Sequence, residues 1–367
     1  MHENRWETVH GPAIDFFRPS FDSFGGRVSR SFHARVALVG LGPIGIAVGR
    51  ALEGRAGIEF LGAADPAPDI ADRPLIGFLP GIPGAENIRV HSSSRELYTR
   101  SAASRKKHDV VLLCTGSRLE TVTPQIEQAV EAGLHVISTC EELSFPELKH
   151  AALGRRIDYA ARQRGVSVLG TGVNPGLVMD RLALAAAAAC VEVNKVSVTR
   201  VVDASKRRGP LRAKVGAGLT RQEFLKGVTE RKLGHVGLSE SAAIIAMGLG
   251  LPIDEITETI EPVIADRERD GVAVGNVRGL HQIALVQAGD EPKVVLDLTM
   301  AVGVEEPADW IDIEGDPPVH LKVSGGFHGD RATVGCVVNA IPFVVAGPPG
   351  LHTVVTLPLF GLFPEAP

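Results

Sequence analysis

At 367 residues the chain exceeds one ordinary core and suggests two domains, at roughly 100–200 residues each. Apolar residues make up 44% and charged residues 22%, which excludes disorder through lack of core material. Aromatics are scarce at 5% and the net charge is −5, so the stacking platforms and surplus cations of a nucleic-acid binder are both missing.

Residues 1–32 form an extension without clear periodicity, ending in the Gly25-Gly26 turn and a short lead-in. Its start carries acids and a proline, which is not the pattern of a signal peptide. It holds Trp6, Phe16, Phe17, Phe21, Phe24 and Phe32, a large share of the chain's aromatics. So much apolar surface predicts an arm packed on its own subunit or across a dimer.

Residues 33–173 alternate apolar strands with amphipathic helices. ARVALVG, GPIGIAVGRALEG and IEFLGAAD read as strand, helix and strand. HDVVLLCTG follows as a buried strand, and TPQIEQAVEAG as a helix with Thr123 as N-cap and Pro124 at its first position. LHVISTC is the next strand. A helix capped by Ser144 and Glu147 then leads to VSVLGTGVNPG. This alternation predicts an α/β fold, a Rossmann-type doubly wound parallel sheet covered on both faces.

Residues 174–326 change rhythm. After an alanine-rich helix come VNKVSVTRVVDAS, EITETIEPVIA, VAVGNVRGLHQIALVQAG, PKVVLDLTMAVG and PPVHLKVSGG, with helices in TRQEFLKGVTERK and SESAAIIAMGLG. Strands without intervening helices predict a second, α+β domain on an open mixed or antiparallel sheet. Residues 327–367 read as a helix to Ala340, a turn at Pro348 and Pro349, and a return that packs on the first domain. No membrane crossing is expected, because the run Leu182–Val191 is far short of the ~20 residues required. Four scattered cysteines without CxxC spacing predict no metal site and a reducing, cytoplasmic setting.

Gly40-Leu41-Gly42-Pro43-Ile44-Gly45 is a GxGxxG between a strand and a helix, answered by Asp65 twenty residues past Gly45. Gly40 permits the tight turn, Gly42 lets a pyrophosphate reach backbone amides, and Gly45 lets helix and strand pack closely. Asp65 suits the ribose hydroxyls of NAD, while Arg73 lies near enough in sequence to serve the 2′-phosphate of NADP. The cofactor is thus NAD or NADP, with NAD favoured. Thr115, Gly116 and Ser117 end the next strand and are expected beside the cofactor's ribose and nicotinamide.

The strand after that ends in Thr139-Cys140-Glu141-Glu142, at the expected nicotinamide position. A cation there suits carbonyl reduction, since oxygen gathers negative charge as hydride arrives. Two carboxylates suit a cationic iminium instead and can serve as a base for ammonium or water. The competing reading makes both glutamates solvated residues ahead of a helix. Cys140 is read as a buried structural cysteine rather than a nucleophile.

These pieces together resemble the 2,4-diaminopentanoate dehydrogenase family and the related native amine dehydrogenases, a branch allied to dihydrodipicolinate reductase. The likeness runs from about Arg35 to the C-terminus. It rests on STCEEL (Ser138–Leu143), GTGVNPGLVMD (Gly170–Asp180), RVVDASKRRGPLRAKVGAG (Arg200–Gly218) and HGDRATVGCVVNAIPFVVAGPPGLHT (His328–Thr353). It implies reversible NAD(P)H-dependent conversion of a small ketone or aldehyde plus ammonia into a primary amine, a homodimer, and a glutamate of STCEEL as acid/base. Anchoring on Leu143 favours Glu141, with Glu142 second. The absence of a His-His pair argues against dihydrodipicolinate reductase activity itself. The alternatives are a dehydrogenase of a diamino acid such as 2,4-diaminopentanoate, and a non-catalytic NAD(P)-sensing protein.

For the substrate, Asn174, Arg200 and His235 are the candidates, against a turn residue before Pro175 for the first and a loop histidine for the last. Lys206, Arg207, Arg208, Arg212 and Lys214 either steer an anionic substrate or form a solvated face. Asn339 is placed at the nicotinamide amide or at a helix-end cap. The pocket is expected to be mostly aliphatic, with Phe145, Phe224, Trp310 and Phe327 as the possible exceptions.

Overall fold

A computed structural model describes residues 33–102, 108–205, 209–289, 291–359 and 361. The arm expected over residues 1–32, and Lys206, Arg207 and Arg208 of the basic cluster, lie outside the described residues.

The chain opens with β1 (Ala34–Val39), α1 (Pro43–Leu52), β2 (Ile58–Ala64), α2 (Ser94–Ala102), β3 (Asp109–Leu113), α3 (Leu119–Glu131), β4 (His135–Ser138), α4 (Ala151–Arg164) and β5 (Ser167–Gly170). β1, β3, β4 and β5 are buried at every position, as strands covered on both faces must be. β1 pairs in parallel with β2 on one side and β3 on the other. The strand order therefore reverses at β1, which is where ligands of such sheets bind. Arg35 on β1 and Asp109 on β3 form a buried two-pronged ion pair (2.7 and 2.5 Å) that fixes the register of the two strands.

The second part comprises α5 (Arg181–Ala187), β6 (Glu192–Asp203), α6 (Gly209–Lys214), α7 (Arg221–Thr229), α8 (Leu238–Gly248), β7 (Glu255–Ile264), β8 (Val277–Gln287), β9 (Pro292–Ala301), β10 (Ala308–Asp316) and β11 (Val319–Ser324). Its six-stranded sheet runs β11-β10-β6-β9-β8-β7, antiparallel except for the β6–β9 pair, so it is mixed. Val196, Val198, Leu296 and Leu298 point from it into a core closed by α5 and α8. The alternate residues, among them Thr199, His281 and Asp297, face the other side and are half-buried. Finally α9 (Gly329–Ala346) packs against α1, β3, β4 and β5, and β12 (Gly350–His352) joins β5 in parallel as the sixth strand of the first sheet.

Three local expectations are corrected. α3 begins at Leu119, not at Thr123, and Pro124 sits inside it. Thr123 Oγ donates back to the Leu119 carbonyl (2.7 Å), and the helix start is served by a remote carboxylate, described below. Ser144 and Glu147 do not cap a helix: Glu141–Ser144 form a 3-10 turn, and α4 starts at Ala151 after His150. α9 continues through Pro342 to Ala346, because Ile341, Val344 and Val345 are buried there and offset the lost backbone hydrogen bond. At 18 residues and a mean hydropathy of 1.2, α9 is the longest apolar helix among the described residues, longer than the run at Leu182–Val191.

Candidate active site

The glycine turn follows β1 with the geometry its residues demand. Gly40 has φ +90°, and a Cβ there would meet the Cys114 carbonyl oxygen at 2.5 Å. A Cβ on Gly45 would fall 1.7 Å from the Gly40 oxygen, so α1 can lie this close to the turn only without a side chain. Gly42 differs. Nothing lies within 4 Å of its missing Cβ, which leaves the backbone at the head of α1 open to a ligand.

Asp65 ends β2 beside this turn, and its carboxylate accepts from the Leu41 amide (2.7 Å) and the Ala67 amide (2.9 Å). It thus fixes the turn itself. Arg73 is exposed on the loop that follows.

Two adjoining cavities lie at the strand ends. The larger, of about 410 Å³, is lined by Pro43 and Ile44, by Thr115, Gly116 and Ser117 after β3, by Thr139 and Ser144, and by Thr171 after β5. The smaller, of about 180 Å³, is walled by Arg200, His235, Leu280, Leu298 and Met300. Glu141, Asn174, Lys214, Asp330 and Thr333 line both. Among the described residues, no Phe, Tyr or Trp lines either cavity. Phe145, Phe224, Trp310 and Phe327 all lie elsewhere: Phe224 is fully buried in a core and Trp310 lies beneath the Lys322 ammonium, 5.3 Å from the ring centre.

The two candidate glutamates have opposite surroundings. Glu141 stands at the seam of the cavities, and burial pushes its carboxyl up to about 7 against hydrogen bonds from its own amide and Ser117. Glu142 reaches neither cavity. Its carboxylate accepts from Arg118 Nη1 (2.8 Å) and the Leu119 amide (2.7 Å), and lies 3.1 Å from His150 Nε2. Burial alone would raise its pKa, but these donors outweigh it and hold the carboxyl below its ordinary value. Glu142, the second-choice acid/base, thus lies outside both cavities and satisfies the amide at the start of α3 from a remote position.

Asn174 and His235 meet on one wall: Asn174 Nδ2 lies 3.1 Å from His235 Nε2. Ser241 Oγ stands within hydrogen-bond distance of Asn174 Oδ1 (3.1 Å) and of the fully buried Asp180 (2.8 Å). Gln282 clamps the His235 backbone, accepting from its amide and donating to its carbonyl, both at 2.8 Å. Burial first, then the nearby Arg200 and Lys214 charges, push the His235 imidazole down to about 4, so it is neutral at physiological pH. Arg200 is buried, with one nitrogen on Asp309 (3.2 Å) and another on the Phe327 carbonyl (2.8 Å).

Asn339 lies away from both cavities. It lines a separate hollow with Leu177, Arg181 and Phe327. The part of α9 that reaches the seam is its N-terminal end, with Asp330 and Thr333, about 14 and about 9 Å along the axis from Asn339. These two residues were not legible from the sequence, although they sit in the HGDRATVGC block. Ser144 and Thr171 were also missed as lining residues. Among the described residues, no group of three His, Cys, Asp or Glu side chains is arranged to hold a metal.

The open cradle at Gly42 and the strand-end cavity, whose lining includes Thr115, Gly116 and Ser117, fit a dinucleotide. Solved structures share the architecture. An amine dehydrogenase from Mycobacterium smegmatis superposes with a TM-score of 0.76 at 22% identity, covering 89% of this chain and 96% of that one. A probable dehydrogenase from Thermotoga maritima does so with a TM-score of 0.53 at 14% identity, covering 88% and 91%. In sequence, the 2,4-diaminopentanoate dehydrogenase of Acetoanaerobium sticklandii is 32% identical over 335 residues, 89% of this chain and 93% of the relative. The family described as the 2,4-diaminopentanoate dehydrogenase C-terminal domain matches residues 177–363. By both the extent and the identity of these matches, the chain belongs to the 2,4-diaminopentanoate dehydrogenase family.

Proposed function

We propose that the protein is an NAD(P)-dependent amine dehydrogenase that interconverts a small ketone or aldehyde plus ammonia with a primary amine. One observation carries this reading: Glu141, a carboxyl that burial pushes up to about 7, stands where the two cavities meet. A lysine there would stabilise an alkoxide; a carboxylate stabilises an iminium. The bound dinucleotide supplies or takes up the hydride. Glu141 accepts a proton from ammonium so that free ammonia can attack the carbonyl, and returns it to the hydroxyl that leaves as water. In its ionised form it balances the iminium, and in the reverse direction it takes a proton from attacking water. Neutral His235 offers a hydrogen bond without opposing the iminium charge. Leu280, Leu298 and Met300 exclude water from a cavity sized for a small substrate.

Asp65 supports NAD as the preferred cofactor, because its carboxylate beside the turn repels a 2′-phosphate; exposed Arg73 is the rival feature. The half-buried face of the second sheet supports a homodimer, and four free thiols support a reducing, cytoplasmic setting. A second reading, a diamino acid dehydrogenase, is favoured by Lys214, which lines both cavities and suits a substrate carboxylate.

A panel of small ketones and keto acids, assayed with NADH or NADPH with and without ammonium, tests these readings. Ammonium-dependent turnover to an amine is expected. Turnover indifferent to ammonium contradicts amine chemistry, and tight nucleotide binding without turnover favours an NAD(P) sensor. If the substrate carries a carboxylate, Lys214→Ala lowers kcat/KM for that substrate about tenfold more than for neutral ketones.

A further inference from the structure

Buried hydroxyls almost always have partners, and one left without costs stability. Ser144 Oγ and Thr171 Oγ1 are both buried and neither has a hydrogen-bond partner. Both residues line the larger cavity. The other unpartnered buried polar atoms among the described residues belong to Tyr98, Glu240, Arg278 and Asp309, none of which lines it.

The backbone brings the pair together. Gly170 ends β5 just before Thr171, and a Cβ on it would lie 2.7 Å from the Ser144 amide nitrogen, so the 3-10 turn rests directly on that strand end. Within that turn Glu141 and Ser144 are three residues apart, which puts their side chains on one face. Both line the cavity.

We infer that Ser144 and Thr171 form the seat for the carboxamide of the nicotinamide ring and so set which ring face is turned to Glu141. The inference rests on the dinucleotide reading given above. Three sheet spacings separate the glycine turn after β1 from the end of β5, about 14 Å, so a dinucleotide with its phosphates at Gly42 brings its far end to these hydroxyls. A carboxamide needs a donor for its oxygen and an acceptor for its NH2, and a hydroxyl can be either. Neither hydroxyl has to be taken from another partner to do this.

Binding measurements on Ser144→Ala, Thr171→Val and the double variant test the assignment, with NADH and ADP-ribose as the two probes. ADP-ribose keeps the phosphates and both riboses but lacks the nicotinamide. If NADPH is the cofactor, NADPH and 2′-phospho-ADP-ribose take their places. Each single variant is expected to weaken NADH about fivefold and the double variant more than tenfold, with ADP-ribose affinity unchanged. Without nucleotide their melting temperatures should equal or exceed that of the wild type, since an unpartnered hydroxyl is being removed; this also shows that the variants fold. Unchanged NADH affinity, or an equal loss for both probes, overturns the seat. A wild-type protein that binds neither probe overturns the dinucleotide reading itself.

Discussion

The two cavities are built by different means. The larger is lined mainly by the loops at the ends of the consecutive parallel strands β3, β4 and β5 and by the head of α1. The smaller is lined mainly by residues of β6, α6, the segment before α8, β8, β9 and α9. A strand-end site is encoded locally, in short runs whose spacing has few solutions. A site gathered from many elements is encoded by the path of the whole chain, so its members share no motif. Glu141 lines both, together with Asn174, Lys214, Asp330 and Thr333, and in the proposed function it is the one that exchanges protons at the junction.

The largest expected effect breaks that junction. Glu141→Gln should lower kcat by about 10²–10⁴ while cofactor affinity is kept. Glu142→Gln, one residue away, should act through the fold, with a melting temperature lowered by loss of the Arg118 pair and the α3 cap. Equal kinetic losses without destabilisation in Glu142→Gln would contradict the division between the two. Glu141 also has a pH signature in stability. Its folded carboxyl keeps its proton up to about 7, while the unfolded chain releases it near 4.5, so native stability falls as pH rises between those values. Glu141→Gln should therefore raise the melting temperature at about pH 8 and change it little at about pH 4.

A smaller effect separates the larger cavity from the rest. Gly42→Ala meets no neighbour in the folded chain, so its melting temperature should match the wild type. Its dinucleotide affinity should drop by about tenfold, because the new methyl occupies the approach to the amides. Lost stability instead would mean that Gly42 serves the turn and not a ligand.

Much of the frame around the larger cavity was legible. The strand-turn-helix around Gly40, Gly42 and Gly45 and the partner Asp65 follow from local sterics, and the apolar strands of the first sheet follow from their unbroken burial. Reading failed where a distant residue supplies what a local one was expected to supply. Thr123 looked like a cap, yet Glu142 caps α3 from another loop; Ser144 looked like a cap, yet it lies in a 3-10 turn that lines the larger cavity. Of the smaller cavity, Asn174, Arg200 and His235 were named as separate residues, but nothing in their spacing reveals the hydrogen-bonded chain from Asp180 through Ser241 to Asn174 and His235. Asn339 and Asp330 lie on one helix, and which of them meets the seam is decided by how α9 packs on α1 and the sheet.

The role of Glu141 as the group that exchanges protons with the substrate is tested most directly by the pH dependence of kcat/KM for amine oxidation, corrected for ionisation of the substrate amine. The rate should rise with pH through an apparent pKa of about 7, and the limb should vanish from the residual activity of Glu141→Gln. A flat profile through that range, or an unchanged limb in Glu141→Gln, would contradict it.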